Sequence, residues 1–294
     1  MASLTATLRI LEPYSGLYAY YDGRIEGVRL WSAEPNWLDD GAYSLGIASY
    51  AIVSDAEAIV YDTHMSLDHA RAIRAHLEGL GIRRMRVVLS HWHTDHIAGN
   101  EAFSDCEIIA NRLTRDAMAA NREKLATGSP PIAPLAMPTT VFEDELDITV
   151  GNIPLRLRRF DIHSADGTVM LIPSLGVLLA GDTVEDTVTY ISEPENTARH
   201  IEELDRLAAL DFRRILPNHG AEAVIASGGY APSLIDATGA YLGRLLARLD
   251  DPVLDAEPLS AFVAPETEKG WIFYFPPYED VHRGNIAALR KARG

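Results

Sequence analysis

The stretch of sequence that decides the fold lies at residues 91–96 and reads His91-Trp92-His93-Thr94-Asp95-His96. It brings four potential metal ligands together directly after the apolar run of residues 85–89, which predicts a β-strand. In an extended backbone His91 and His93 point to the same side. Asp95 and His96, at the start of a helical turn, point to a neighbouring position, so one loop can serve two metal ions. Imidazole and carboxylate ligands without thiolate suit zinc, iron, manganese or cobalt.

Four other short motifs carry aspartate or histidine next to predicted strands. They are Tyr61-Asp62-Thr63, the run of residues 161–168 around His163, Ala180-Gly181-Asp182-Thr183 and Pro217-Asn218-His219-Gly220. Together with residues 91–96, and in this order, these motifs resemble those of the metallo-β-lactamase fold superfamily, whose signature is His-x-His-x-Asp-His. The resemblance covers residues 62–220. It implies an α/β fold, a four-layer αββα sandwich in which two mixed β-sheets lie face to face with helices on the outside.

The resemblance also implies a dinuclear metal site. It implies that one ion is bound by His91, His93 and His163 and the second by Asp95, His96 and His219. It also implies that Asp182 bridges both ions. Two cations about 3.5 to 4 Å apart share a water molecule, acidify it to a bridging hydroxide and let it attack a carbonyl or phosphoryl centre. Asp95 is expected to be a catalytic base or acid as well as a ligand. Asp62 is expected to orient a ligand histidine, with a simple strand-end turn residue as the alternative.

The order of elements predicts two halves, each with strands followed by helices, within a single domain of residues 1–294. The first half begins with a strand at residues 4–11 and a hairpin at Asp22-Gly23, followed by a long aromatic loop at residues 31–43. A helix is expected from Leu67, a polar helix at residues 112–124, an irregular proline-rich segment at residues 127–140, and a helical extension from about residue 230 to the end.

The composition of the chain limits the kinds of partner and cofactor that we expect. The chain has 42 acidic and 26 basic residues and a formal net charge of −16, which disfavours nucleic acid and anionic membranes. Its single cysteine, Cys106, permits neither an intrachain disulfide nor a CxxC zinc site. We find no signal-peptide pattern and no apolar run of membrane-spanning length, which predicts a cytoplasmic protein. The expected cofactors are two divalent metal ions, with zinc preferred over iron, manganese and cobalt, and the expected partner is a small-molecule substrate; a homodimer stays open.

The departures from particular subfamilies exclude some functions, and a small ester or lactone is the preferred substrate among those that remain. Asp182 stands where some lactamase subclasses have cysteine, and the tyrosine that many acyl-homoserine lactonases carry three residues after this aspartate is absent. Tyr190 would replace it only if its loop folds back. Thioester and β-lactam or amide hydrolysis are the alternatives on the same site, followed by phosphodiester hydrolysis. An inactive metal-containing binding or sensor protein is the alternative outside the enzymes.

Aromatic residues near the motifs are candidates for a substrate pocket. Those that we single out are Trp31, Trp37 and Trp92. A core position is the more frequent role for any one of them. His64 follows the aspartate motif at residues 61–63 and is a further pocket candidate, with a surface loop position as the alternative. Of the remaining histidines, His69, His76 and His200 are expected at the surface. The role of His282 is left open, with a solvent-exposed position as the default.

Overall fold

The computed structural model describes residues 3–293, and the two ends of the predicted domain, residues 1–2 and 294, lie outside this range. Its strands are β1 (Arg9–Tyr14), β2 (Leu17–Asp22), β3 (Ile47–Ser54), β4 (Glu57–Tyr61), β5 (Arg84–Val88), β6 (Glu107–Asn111), β7 (Thr140–Phe142), β8 (Glu145–Val150), β9 (Ile153–Arg159), β10 (Thr168–Ile172), β11 (Val177–Gly181) and β12 (Arg214–Pro217). Its α-helices are α1 (Leu67–Gly79), α2 (Thr94–Ile97), α3 (Arg112–Ala120), α4 (Arg122–Ala126), α5 (Thr197–Ala208), α6 (Glu222–Ala226), α7 (Ser233–Arg248), α8 (Leu259–Phe262), α9 (Ala264–Glu268) and α10 (Tyr278–Arg293).

The strands form two mixed sheets. The first has seven strands in the order β1 to β7, antiparallel as far as β4 and parallel from β4 to β7. The second has five strands in the order β12-β11-β10-β9-β8, in which only β11 and β12 are parallel. The predicted fold class, an α/β fold with two mixed sheets, is confirmed.

Each sheet is buried on both faces, because side chains of alternate residues point to opposite sides of a strand. In β4, Ile59 and Tyr61 belong to the core shared by the two sheets. Ala58 and Val60 belong instead to the core on the other face of the first sheet, together with apolar residues of α1 such as Ile73. Helices α5, α7, α8 and α10 cover the outer face of the second sheet. The order of the layers is therefore helix, sheet, sheet, helix.

Three sequence predictions about local structure were wrong. The first hairpin turns at Gly16, whose positive φ of 74° suits a residue without a side chain, and Asp22 lies at the end of β2. The aromatic loop is not irregular throughout, because Leu38–Tyr43 forms a π-helical turn. The polar helix predicted at residues 112–124 is divided into α3 and α4 at Asn121, whose side chain donates to the carbonyl oxygen of Ala117 at 2.9 Å.

The predicted helical extension is present as α7 to α10, and α7, α8 and α10 pack on the second sheet. The extension of one domain over the whole chain stays a prediction. Among residues 3–293, no helix combines the length and the apolar character that crossing a lipid bilayer requires.

Candidate metal centre

The predicted metal ligands come from four loops that meet at one edge of the sandwich. One loop follows β5 and continues into α2, one joins β9 to β10, one follows β11, and one follows β12. The carboxyl ends of β5, β9, β11 and β12 face this edge, so that side chains far apart in sequence meet there. The structure brings together all seven predicted ligands: His91, His93, Asp95, His96, His163, Asp182 and His219.

Three imidazoles form the first half of the centre. His91 Nε2 lies 2.9 Å from His93 Nδ1, and His163 Nε2 lies 3.0 Å from the same Nδ1. His91 and His163 are buried, and His93 is partly exposed. Three ring nitrogens therefore converge on one point, which is the arrangement that a metal ion with several imidazole ligands requires.

The second half combines imidazole and carboxylate. His219 Nε2 lies 3.3 Å from Asp95 Oδ2, and His96 Nε2 lies 3.6 Å from Asp95 Oδ1. Asp182 stands between the two halves, since its Oδ2 is 3.1 Å from His96 Nε2 and 3.7 Å from His163 Nε2. A carboxylate in this position faces ligands of both groups.

Burial and charge divide the five histidines into two kinds. Burial lowers the pKa of His91 well below its usual value, that of His93 to about 3 and that of His163 to about 4. Burial also acts to lower the pKa of His96 and of His219, but nearby carboxylates, above all Asp182, raise both well above the usual value. The first three imidazoles are thus uncharged and have free lone pairs, and the other two balance the buried carboxylates.

The donor set fits divalent metal ions. Asp182 Oδ1 is buried and has no hydrogen-bond partner among the described residues, which is rare for a buried polar atom. The nitrogen and oxygen donors around it, without a thiolate, are those that zinc, manganese, iron and cobalt accept. Such ions would give Asp182 Oδ1 the partner that the described residues do not supply.

Hydrogen bonds behind the ligands fix the orientation of three rings. Asp62 Oδ2 accepts from His96 Nδ1 at 2.9 Å, the Gly46 carbonyl oxygen lies 2.6 Å from His219 Nδ1, and the Tyr190 carbonyl oxygen lies 2.9 Å from His163 Nδ1. In each case Nδ1 is held from outside and Nε2 is left for the centre.

Asp62 is itself held firmly. Its carboxylate accepts from the Ser90 amide at 2.7 Å, from the Ser90 hydroxyl at 2.6 Å and from Asn218 Nδ2 at 2.6 Å. Sequence reasoning did not single out Ser90 or Asn218, although both lie inside or next to the motifs. Their position directly before His91 and His219 is a signal that would have found them.

Sequence reasoning also missed Glu185, which is 1% exposed. Its Oε1 lies 3.5 Å from His163 Nδ1 and accepts from the Tyr190 amide at 3.1 Å. Burial, and after it the charge of Asp182, raises the pKa of Glu185 to about 8. Glu185 occupies the position three residues after Asp182, so an acidic side chain stands where many acyl-homoserine lactonases have the tyrosine that this chain lacks.

The aromatic candidates occupy different places. Tyr190 lies beside the centre: its loop folds back, its ring centroid is 6.3 Å from that of His163, and it is 50% exposed. The Trp92 ring is 5.2 Å from that of His93. Trp31 and Trp37 instead line a separate, mostly apolar cavity of about 240 Å³ together with residues 130–134, and none of the seven predicted ligands lines it.

The predicted surface histidines are mostly buried. His64 is fully buried, with Nε2 3.1 Å from the Tyr20 carbonyl oxygen, which leaves it no exposed atom for a substrate; both its predicted cleft position and its surface alternative are wrong. His69 stacks on His64 and lies 2.9 Å from Asp22 Oδ2. His282 is buried against the Tyr241 hydroxyl at 3.0 Å. His200 is also buried, and only His76 retains partial exposure.

Two sheets that lie face to face between helices, with buried histidines and aspartates at one sheet edge, place the protein in the class of αββα sandwiches with a candidate metal centre. The model of the metallo-beta-lactamase superfamily matches residues 43–219, which is more than half of the chain. The protein therefore belongs to the metallo-beta-lactamase superfamily, as the sequence motifs predicted.

Solved structures agree with this fold. A metallo-beta-lactamase from Pontibacter korlensis is 16% identical, with a TM-score of 0.59 over 78% of this chain and 99% of that one. The solved structure TMB-1 is 16% identical, with a TM-score of 0.61 over 81% of this chain and 98% of that one. VMB-1 is 14% identical, with a TM-score of 0.61 over 82% and 98%. At these identities the likeness concerns the fold alone. A search of curated proteins gave no match.

Proposed function

We propose that this protein is a dinuclear metal-dependent hydrolase that opens a small ester or lactone. The observation that carries the proposal is the convergence of seven nitrogen and oxygen donors from four loops. In the proposed assignment the first ion would be held by His91, His93 and His163, the second by Asp95, His96 and His219, and Asp182 would be the ligand that both share. Zinc is the proposed metal, with iron, manganese and cobalt as alternatives.

Two divalent ions in this centre would supply Lewis acidity and an activated water, which is the chemistry that hydrolysis requires. The protein supplies orientation and proton transfer. The Asp95 side chain is partly exposed, at 19%, whereas that of Asp182 is 5% exposed, so Asp95 is the carboxylate that a substrate or its nucleophile can reach. We assign the transfer of the nucleophile's proton to a carboxylate oxygen of Asp95.

The surface beside the centre favours a neutral substrate with an apolar part. Tyr190 is half-exposed, and Phe273 and Tyr274 are exposed on a segment tied to the same loop, since the Thr187 hydroxyl donates to the Phe273 carbonyl oxygen at 2.7 Å. A net charge of −16 disfavours a polyanionic substrate. We propose that Tyr190 contacts the acyl part of the substrate.

β-Lactam or amide hydrolysis is the second candidate, because the similar solved structures include a metallo-beta-lactamase and DIM-1, described as exposed to ceftazidime. Thioester and phosphodiester hydrolysis use the same donors. A metal-containing protein without turnover is the alternative outside the enzymes. The cytoplasmic location and the absence of nucleic-acid and membrane partners stay predictions from the sequence, and a homodimer stays open.

The experiment that tests the proposal combines metal analysis with a substrate panel. Purified protein is assayed on lactones, oxygen esters, thioesters, a β-lactam and a phosphodiester, before and after removal of metal by a chelator and after reloading with zinc. We expect chelator-sensitive turnover that is fastest on lactones or esters. Turnover at the buffer rate on every substrate by fully loaded protein would overturn the hydrolase proposal. Faster turnover of the β-lactam would overturn only the substrate assignment.

A substitution tests the role of Tyr190. Tyr190→Ala removes an aromatic wall but leaves the backbone carbonyl that binds His163 Nδ1, so we expect KM for a long-chain lactone to rise about tenfold with unchanged metal content. Tyr190→Phe keeps the apolar ring and is the matched control, with an expected KM close to that of the parent. An unchanged KM for the alanine variant would exclude a substrate contact at this position.

A further inference from the structure

We propose a second, separate metal site that is formed by Asp161, Glu193 and His200 and binds one divalent first-row transition-metal ion. The three residues come from three elements. Asp161 lies in the loop between β9 and β10, Glu193 precedes a short 3₁₀ turn at Pro194–Asn196, and His200 lies near the start of α5. One ligand atom from each lies within 4.8 Å of the others. The site shares no residue with the seven donors of the metal centre.

Two buried polar atoms in this cluster lack partners. His200 is 2% exposed, and neither its Nε2 nor Asp161 Oδ1 has a hydrogen-bond partner among the described residues. The two atoms are 3.5 Å apart, beyond the usual N–H···O distance of about 2.7–3.2 Å. Since buried polar atoms are nearly always satisfied, two adjacent unsatisfied atoms that face each other indicate a missing partner. A cation between them would satisfy both.

The third ligand is already oriented. Glu193 Oε1 accepts from the Ala165 amide at 3.2 Å, and its Oε2 accepts from Asn196 Nδ2 at 2.9 Å. Each carboxylate oxygen retains a further lone pair for a metal ion. The Glu193 carboxylate is therefore fixed beside His200 and Asp161 without rearrangement.

The protonation of the histidine suits a metal. Burial lowers the pKa of His200, and the carboxylates of Asp161, Glu193 and Glu195 only partly counter this effect. At neutral pH the imidazole is then uncharged and does not form an ion pair with Asp161. One imidazole nitrogen with two carboxylate oxygens is a donor set for zinc or manganese, with water completing the coordination.

An ion in this place would fasten the loop that carries His163. Asp161 lies two residues before His163, and the Ser192 hydroxyl donates to the His163 carbonyl oxygen. The loop between β9 and β10 would thereby be joined to the start of α5 through a metal. The role that we assign to this ion is structural, namely to hold the loop in place from outside the metal centre.

Metal stoichiometry tests the site. The parent chain is compared with three variants, Asp161→Asn, Glu193→Gln and His200→Gln. Each protein is stripped of metal with a chelator and then titrated, in one experiment with Zn²⁺ and in another with Mn²⁺, the latter in the presence of excess Mg²⁺. Bound metal is measured after gel filtration. We expect each variant to hold one equivalent less than the parent. His282→Gln is the matched control, because His282 is equally buried and also has an unpartnered Nε2 but has no such cluster. This variant is expected to keep the parent's stoichiometry.

The difference between parent and variant is independent of the proposed function, since loss of the metal centre would lower all totals equally. If His200→Gln fails to fold, the two carboxylate variants give the answer, and circular dichroism identifies such a failure. Equal stoichiometry in the parent and the three site variants would overturn the proposal. A third equivalent of metal that binds weakly, does not saturate and is the same in the parent and all variants would also overturn it.

Discussion

Asp62 shows how a residue outside the proposed ligands can determine their geometry. Its carboxylate accepts hydrogen bonds from the Ser90 amide and hydroxyl, from Asn218 and from His96 Nδ1. Each of these groups is next to a ligand or is part of one, so a single buried carboxylate ties the loop after β5 to the loop after β12. The strand-end position alone would have required none of these contacts.

The substitution Asp62→Asn is expected to weaken metal binding about 10- to 100-fold. An amide offers one accepting oxygen, and its NH₂ group would face donors, so His96 would lose its fixed orientation. The measurement is a competition titration with a coloured chelator. Asp68→Asn, at an exposed position of α1, is the control and should leave affinity unchanged. Equal affinity in a folded Asp62→Asn variant would contradict this prediction.

At this scale the sequence predicted residues that lie in compact motifs and missed residues that act through distant contacts. Residues 91–96 contain four of the seven converging side chains, and these could be predicted directly because they are close together in the chain. Glu185 could not be predicted, since its proximity to His163 depends on how two loops fold together. His64 and His200 were misjudged because burial of a histidine depends on tertiary packing, of which a short loop or an amphipathic helix gives no sign.

Among the secondary-structure elements, α2 is followed by a backbone segment that packs very closely on its neighbours. The helix Thr94–Ile97 carries Asp95 and His96 and is followed by Gly99. A Cβ atom at Gly99 would lie 2.2 Å from the Thr63 carbonyl oxygen and 2.3 Å from Ala70 Cβ. The backbone after α2 therefore rests directly on α1 and on the residue after Asp62, and only glycine allows this approach.

Gly99→Ala is accordingly expected to lower the free energy of unfolding by about 1–3 kcal/mol, because the Thr63 carbonyl group cannot move away from the new methyl group without displacing α2. Metal affinity should fall as well, since His96 moves with the helix. Urea denaturation of the metal-free and the loaded protein measures both effects. Gly79→Ala, at the end of α1, meets nothing within 4 Å and is the matched control. Identical unfolding curves for the two variants would show that the contact is not limiting.

The prediction of elements succeeded where the periodic pattern was strong and failed where turn chemistry decided. The strand β5 and the helix α1 are present within a few residues of the predicted positions. The first hairpin was misplaced because both Ser15-Gly16 and Asp22-Gly23 are good turn sequences. Strand pairing between β1 and β2, which is a property of the sheet, selects the first of them.

For the molecule as a whole, the metal centre is a concentration of buried acid groups in a chain with a formal charge of −16. Asp62, Asp182 and Glu185 are each at most 5% exposed and lie around the same histidines. Buried carboxylates are costly unless nearby charge compensates them, and in the metal-free protein His96 and His219, whose pKa values are raised, supply part of that charge. Two divalent cations would replace this compensation and add to it, so the stability of the sandwich and the occupancy of the centre should be coupled.

Removal of metal is therefore expected to lower the thermal midpoint. A ligand at a hundred times its dissociation constant adds about 2.7 kcal/mol to the unfolding free energy, and for a chain of this size we expect a loss of about 5 °C or more on chelation. Scanning calorimetry of loaded, stripped and reloaded protein measures the shift, and reloading with zinc should restore it. Because folded protein holds the donors together whereas the unfolded chain separates them, binding must stabilise the fold if the donors are ligands. A stripped protein as stable as the loaded one, under conditions where the loaded protein retains two ions per chain, would show that these side chains are not the ligands.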